Sequence, residues 1–193
     1  FSVTELSKSI TYKERFVGLH FFYHAAKNRL VEIIPGELTA LETLETVSQF
    51  VSLVGKDPII CKDVYGFAVN RFFVPWLNEA VRLLQEGQGS ISDIDTICKK
   101  LFGIGMGPFA LMNATGIQVA YHSQVTLEAF GVLYKVAPAL KEQAFAGKPW
   151  ETNVDPVPDA DSAKESLIRD RMLGIVFFIA SSIIEEGVCS STH

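Results

Sequence analysis

The stretch Gly18–Ile33, "GLHFFYHAAKNRLVEI", decides how the first part of the chain is read. It holds two short apolar runs separated by a polar break, with His20 in the first run and Glu32 twelve residues later in the second. Extended to their natural limits, "RFVGLHFF" and "NRLVEII" have strand length and are bounded by glycine or polar residues, so both are expected strands. Next comes "TALETLETVSQFVSLVG", with Thr39 and Glu42 spaced as a capping box and apolar residues at Leu41, Leu44, Val47, Val51 and Val54. Gly55 supplies a stop, and the pattern predicts a helix over Ala40–Val54. "DPIICKD" is a further strand, with Lys62 and Asp63 at its solvated end. Strand, helix and strand in that order point to the tail of a parallel α/β sheet.

From Gly66 the pattern changes. "GFAVNRFFVPWLNEAVRLLQEG" is helical, and the charges of Arg71, Glu79 and Arg82 interrupt apolar residues on most sides. Such a helix packs against several partners. Pro75 is expected to kink it or remove a backbone hydrogen bond. "SISDIDTICKKLFG" carries a second capping box, read as Ser92 to Asp95, and ends at glycine. "GIGMGPF" has the outline of a GxGxG loop but lacks a preceding strand and a βαβ unit, so it reads as a turn placing Pro108 at the first position of a helix. "GPFALMNATG", "IQVAYHSQVTLEAFGVLY" and "PALKEQAFAG" read as further helices, and the Pro- and Asp-rich Lys148–Asp161 reads as a linker.

Shifting the sequence by 100 residues lays "NRFFVPWLNEAVRLLQEG" over "DRMLGIVFFIASSIIEEG". Arg71 then falls on Arg171, Ala80 on Ala180, Glu86 on Glu186 and Gly87 on Gly187. The match suggests a helical unit whose second copy begins near the end of this sequence. The fold expected is an α/β segment followed by mainly α-helical domains, mostly α overall. Its divisions are residues 1–63 (α/β), 64–147 (helical), 148–162 (linker) and 163–193 (start of the second helical repeat).

Composition narrows the classes. Of 193 residues, 48% are hydrophobic and 20% charged, enough for a packed core. A net charge of −5, with no basic cluster longer than Lys99–Lys100, argues against a nucleic-acid surface. Cys61, Cys98 and Cys189 are far apart and form no CxxC, so reduced, buried thiols are expected and a zinc site is not. Met172–Ile184 is shorter than the roughly 20 residues of a membrane span and reads as a buried helix. The start at Phe1, with no basic region or cleavage motif, reads as an excised piece of a longer chain rather than a signal peptide.

The residues that could carry chemistry are few. A histidine near the C-terminal end of a strand lies where α/β sheets form ligand crevices. A carboxylate on the adjacent strand can bond one ring nitrogen, fix the tautomer and support the imidazolium while the other nitrogen accepts a proton. The alternative is a core histidine satisfied by backbone, with Glu32 in solvent. His20 and His24 make an HxxxH, which is ligand spacing only on a helix, and this segment reads as strand. Asn70, early in a buried helix, needs hydrogen-bond partners, and its simplest role is a structural bond at the domain junction.

Three motifs, "GLHFFYHAAKNRLVEII", "YGFAVNRFFVPWLNEA" and "DIDTICKKLFGIGMGPFAL", resemble in order and spacing segments of the L-3-hydroxyacyl-CoA dehydrogenase family. There the segments run "GLHFFNP…KLVEVI", "PGFVVNRLLVPYLNEA" and "DIDTA…G…MGPFEL". The resemblance implies that residues 1–63 are the end of a Rossmann-type NAD-binding domain, and that an acyl-CoA is oxidised at C3 with NAD, as in fatty-acid β-oxidation. It implies that His20 is the catalytic histidine, Glu32 its carboxylate partner, and Asn70 the asparagine that helps hold substrate and histidine. Tyr23-His24 stands where the family has Asn-Pro, so Tyr23 occupies a position beside the nicotinamide. The Gly-rich turn that cradles the NAD phosphates would precede Phe1, which implies that this stretch alone is not expected to bind NAD or to turn over. As in multifunctional β-oxidation proteins, the helical unit is expected to pair within a chain or as a homodimer. The compartment would be cytoplasmic in bacteria or archaea, and mitochondrial or peroxisomal in eukaryotes. The competing reading is a catalytically silent pairing module, favoured by Tyr23-His24.

Overall fold

The structure is a computed structural model, and it describes residues 2–152 and 162–189. The chain divides into two compact units, one of Phe1–Val69 with Ser181–His193 and one of Asn70–Ala180.

The first unit is built on three strands, β1 (Val17–Phe21), β2 (Leu30–Pro35) and β3 (Asp57–Ile60), in the order β1-β2-β3. Strands β2 and β3 are parallel, joined through helix α2 (Leu41–Leu53), as the strand–helix–strand pattern predicts. Strand β1 instead pairs with β2 antiparallel. The connection Phe22–Arg29 is too short for a crossover, so the chain can only double back. One face of the sheet buries Val31 and Ile33 against Val51 of α2, with Val17, Leu44 and Val47 packed around them. Each such fully buried aliphatic side chain stabilises the fold by about 1.5–3 kcal/mol. Alternation along β2 turns Glu32 and Ile34 to the opposite face, where both are buried.

Two expectations for this unit need correction. The predicted capping box is not used: the N-cap of α2 is Ala40, with no side-chain bond. Thr39 Oγ1 is engaged elsewhere, donating to the Phe16 carbonyl at 2.6 Å and accepting from Gly36 N–H at 2.8 Å. Nor is Asp63 a solvated strand end. A short helix, α1 (Val3–Ser7), starts against its carboxylate, which accepts from Ser2 Oγ at 2.7 Å, Val3 N–H at 3.0 Å and Thr4 N–H at 2.8 Å. Lys62 Nζ donates to the Glu186 carbonyl at 3.1 Å.

The second unit is helical. Helix α3 (Val69–Gln85) continues through Pro75 without a break and buries Arg71, Val74, Trp76, Asn78, Glu79 and Leu83, among others. Burial on most sides is what its sequence predicts. Arg71 lies with its guanidinium carbon 4.0 Å from the centroid of the Phe130 ring. Helix α4 (Ile91–Phe102) begins half a turn earlier than expected: Ser90, not Ser92, is the N-cap and forms the capping box with Asp93. Asp95 is released for a tertiary role, and it accepts the N–H groups of Phe109 at 2.8 Å and Ala110 at 3.0 Å. These amides open α5 (Pro108–Thr115), whose first residue is Pro108 as predicted. Helix α6 (Ile117–Leu127) ends sooner than its sequence suggests, passing into two 3₁₀ turns around Gly131, whose φ is 118°. Helix α7 (Pro138–Ala146) stops at Gly147. The start of the expected linker is docked: Asn113 exchanges two hydrogen bonds with the Trp150 backbone, at 2.9 and 2.8 Å. Residues 153–161 lie outside the described residues.

Helix α8 (Ser162–Glu185) begins well before the segment matched by the 100-residue shift. Ile168, Met172, Ile175, Ile179 and Ile183 bury one stripe, whereas Phe177 is 66% and Phe178 51% exposed. The reading of Met172–Ile184 as a buried helix therefore holds for one face only. The ends of α3 and α8 match bond for bond: Glu86, Gly87 and Gln88 donate to the carbonyls of Arg82, Leu84 and Leu83, and Glu186, Gly187 and Val188 to those of Ser182, Ile184 and Ile183. Both glycines take left-handed angles, φ 69° and 60°, as a helix C-cap requires. Among the described residues, no helix is long and apolar enough to cross a membrane.

Candidate active site

His20 and Glu32 stand directly opposite each other across the antiparallel β1–β2 ladder. Facing positions on one side of such a pair bring side chains into contact, so the twelve-residue separation in sequence closes to a hydrogen bond. His20 Nδ1 lies 2.6 Å from Glu32 Oε2. The Glu32 side chain is fully buried, while that of His20 is 28% exposed, giving the pair a protected end and an accessible end. With Nδ1 engaged by the carboxylate, Nε2 is the nitrogen left to exchange a proton with a bound molecule. The imidazole is flanked by Phe22, ring centroids 4.5 Å apart, and by Phe67 at 5.9 Å.

A buried carboxylate needs donors to offset the loss of water. Oε2 of Glu32 serves His20, and Oε1 accepts the backbone N–H groups of Ala68 at 2.9 Å and Val69 at 2.8 Å. These two amides begin α3 and would otherwise lack partners, so Glu32 caps that helix from the neighbouring sheet. Just before them the backbone turns sharply, with positive φ at Gly66 (78°) and Phe67 (46°). Sequence reasoning does not single out the rings and amides around the pair. Phe22 is legible, as it directly follows the strand that holds His20, but the amides of residues 68 and 69 carry no side-chain signal.

The other two predicted site residues are placed differently. Asn70 is the second residue of α3 and the first of the helical unit, directly after the Val69 amide that bonds Glu32. Tyr23 lies just beyond β1, 54% exposed, with its ring 5.7 Å from that of His24. His24 sits in the turn and not on a helix, so the HxxxH spacing has no structural meaning here.

The GxGxG-like loop offers no cradle for a pyrophosphate. Its glycines run from α4 into α5, and the amides of Phe109 and Ala110 at that helix start are already held by Asp95. This loop therefore does not fit the phosphate end of a dinucleotide.

The chain thus has two parts, a three-stranded α/β tail bearing a histidine–carboxylate pair and an all-helical unit. Residues 1–64 match the NAD-binding domain of 3-hydroxyacyl-CoA dehydrogenases, and residues 66–155 match their C-terminal domain. The chain belongs to the 3-hydroxyacyl-CoA dehydrogenase family, and NAD is the cofactor of that family. It is 44% identical over 152 residues to the mitochondrial hydroxyacyl-coenzyme A dehydrogenase of Sus scrofa, which covers 76% of this chain and 48% of that protein. It is 41% identical over 128 residues to the fatty acid oxidation complex subunit alpha of Idiomarina loihiensis, covering 66% of this chain and 18% of that one. Among solved structures, (S)-3-hydroxybutyryl-CoA dehydrogenase from Ralstonia eutropha superposes with a TM-score of 0.73 at 32% identity, over 78% of this chain and 54% of that one. The chain spans about half the length of the mitochondrial relative it matches.

Proposed function

We propose that this chain carries the proton-transfer apparatus and the helical domain of an NAD-dependent L-3-hydroxyacyl-CoA dehydrogenase, which oxidises an L-3-hydroxyacyl-CoA to the 3-ketoacyl-CoA. The observation that carries this reading is the 2.6 Å contact between His20 Nδ1 and the buried Glu32 carboxylate. His20 Nε2 takes the proton of the substrate 3-hydroxyl, and Glu32 balances the imidazolium that results. NAD, when bound, supplies the hydride acceptor. In this reading Asn70 helps hold the substrate against His20, and Tyr23 stands beside the cofactor where relatives have asparagine. General-base catalysis of this kind contributes about 10²–10⁴ in rate.

The same reading divides the chain at residues 63/64, 147/148 and 162/163, with 163–193 opening a second helical copy. The identical caps that end α3 and α8 support that division. Pairing of helical units, within a chain or between two chains, follows from it. The matched relatives include a mitochondrial enzyme and a bacterial fatty-acid oxidation subunit, and both settings suit this function.

The test is acetoacetyl-CoA-dependent oxidation of NADH by the full-length protein, beside His20→Gln and Glu32→Gln. Each substitution is expected to lower kcat by about 10²–10⁴. Activity that survives His20→Gln would overturn the assignment. Tyr23→Asn is expected to change the rate little, and a large gain would show that Tyr23 impairs the site.

A further inference from the structure

Oε1 of Glu32 has a third donor besides the two amides. The Cys61 thiol lies 3.6 Å from Glu32 Oε1, within the range of a sulfur hydrogen bond. This contact follows from strand parity. Glu32 is paired with Ile59 in the parallel ladder, and Cys61, two residues on, returns to the same face. The thiol is almost fully buried. Burial, then the charge of Glu32, push its pKa up to about 12. Cys61 is therefore an S–H donor throughout the working pH range. The titratable groups that act on it are Glu32 and, across the cleft lined by both cysteines, Cys189.

We propose that Cys61 is a positioning residue for the His20–Glu32 pair, its S–H completing with the Ala68 and Val69 amides a three-donor cradle on Glu32 Oε1. A carboxylate can turn about its last side-chain bond. Three donors gathered on one oxygen stop that rotation and direct Oε2 at His20. A weak donor suits the place: it restrains the carboxylate without drawing its charge away from the imidazole. The inference rests on the proton-transfer role given to His20 above.

The experiment compares Cys61→Ala and Cys61→Ser in the full-length protein, reading kcat and KM separately, thermal midpoint, and the NMR resonance of the His20 Nδ1 proton. Cys61→Ala is expected to lower kcat by up to about tenfold with KM unchanged, the loss of one supporting hydrogen bond. It should also move the Nδ1 proton resonance. Cys61→Ser, which restores a donor, should return kcat to within about twofold and restore the resonance. Unchanged kcat and resonance in Cys61→Ala would overturn the proposal. So would equal losses in both variants tracking the thermal midpoint, the mark of a packing residue. His20→Gln in the same series separates the two claims. If it keeps activity, the dehydrogenase reading fails and the resonance alone decides whether Cys61 orients the pair.

Discussion

Gly107 is pressed against Asp95: a Cβ on Gly107 would come within 2.4 Å of the Asp95 carboxyl carbon and 2.5 Å of its Cα. Only a residue without a side chain lets the start of α5 reach the carboxylate that caps it. Gly107→Ala must move backbone, and a loss of about 1–3 kcal/mol is expected. Asp95→Ala, which strands the Phe109 and Ala110 amides, should cost a similar amount. Urea unfolding of both variants checks this. Midpoints equal to the parent's would show that the cap contributes nothing.

Asp63 supplies a pH-dependent counterpart. Partial burial pushes its carboxyl up, but the bonds from Thr4, Ser2 and Val3 outweigh that and hold it below its ordinary value. A depressed carboxylate adds stability that is present above the unfolded-state pKa and is lost as pH falls through the folded one. Asp63→Asn should therefore cost about 1 kcal/mol at neutral pH. The gap from the parent should close below about pH 4. Thermal melts across that range decide it, and a gap independent of pH would contradict the expected sign.

Within the helical unit, Arg171 of α8 donates through Nε to Glu79 Oε1 at 2.7 Å and through Nη1 to Glu86. Glu79 is buried and is shared with Arg82 at 3.2 Å. A double-mutant cycle with Glu79→Gln and Arg171→Gln should give a coupling energy of about 1–3 kcal/mol. Additive single effects would mean the contact is only apposed charge.

Phe177 and Phe178 give a fourth measurement. Two adjacent, largely exposed rings beside exposed Ile184 form an apolar strip on α8. The chain Phe1–His193 is expected to sediment above its monomer mass. Phe177→Asp with Phe178→Asp should return it to monomer. Unaltered association in the double variant would place the contact elsewhere.

Much of the fold and site is legible from local pattern. The two strand-length runs that carry His20 and Glu32 are legible, though local pattern leaves their pairing open and only the family resemblance implies it, and Pro108 marks its helix start. The two misplaced capping boxes share a cause: long-range partners win over local ones. Ser90 and Ser92 both precede an acidic residue by three positions, and local pattern cannot tell which box forms. The answer lies fourteen residues away, where the α5 amide of Phe109 takes Asp95. Thr39 likewise leaves its helix for the Phe16 carbonyl. Arg71 and Arg171, aligned by the 100-residue shift, serve different ends, one over the Phe130 ring and one between two glutamates. Composition cannot distinguish those surroundings.

The grip of Glu32 on the amides of Ala68 and Val69 has a further effect. The opening amides of a helix ordinarily fray and exchange with solvent quickly. These two are tied to a carboxylate at full burial, so their exchange should be among the slowest in their unit. The deuterium uptake of residues 68 and 69 thus reports whether the Glu32 carboxylate keeps its place, readable without substrate, cofactor or turnover.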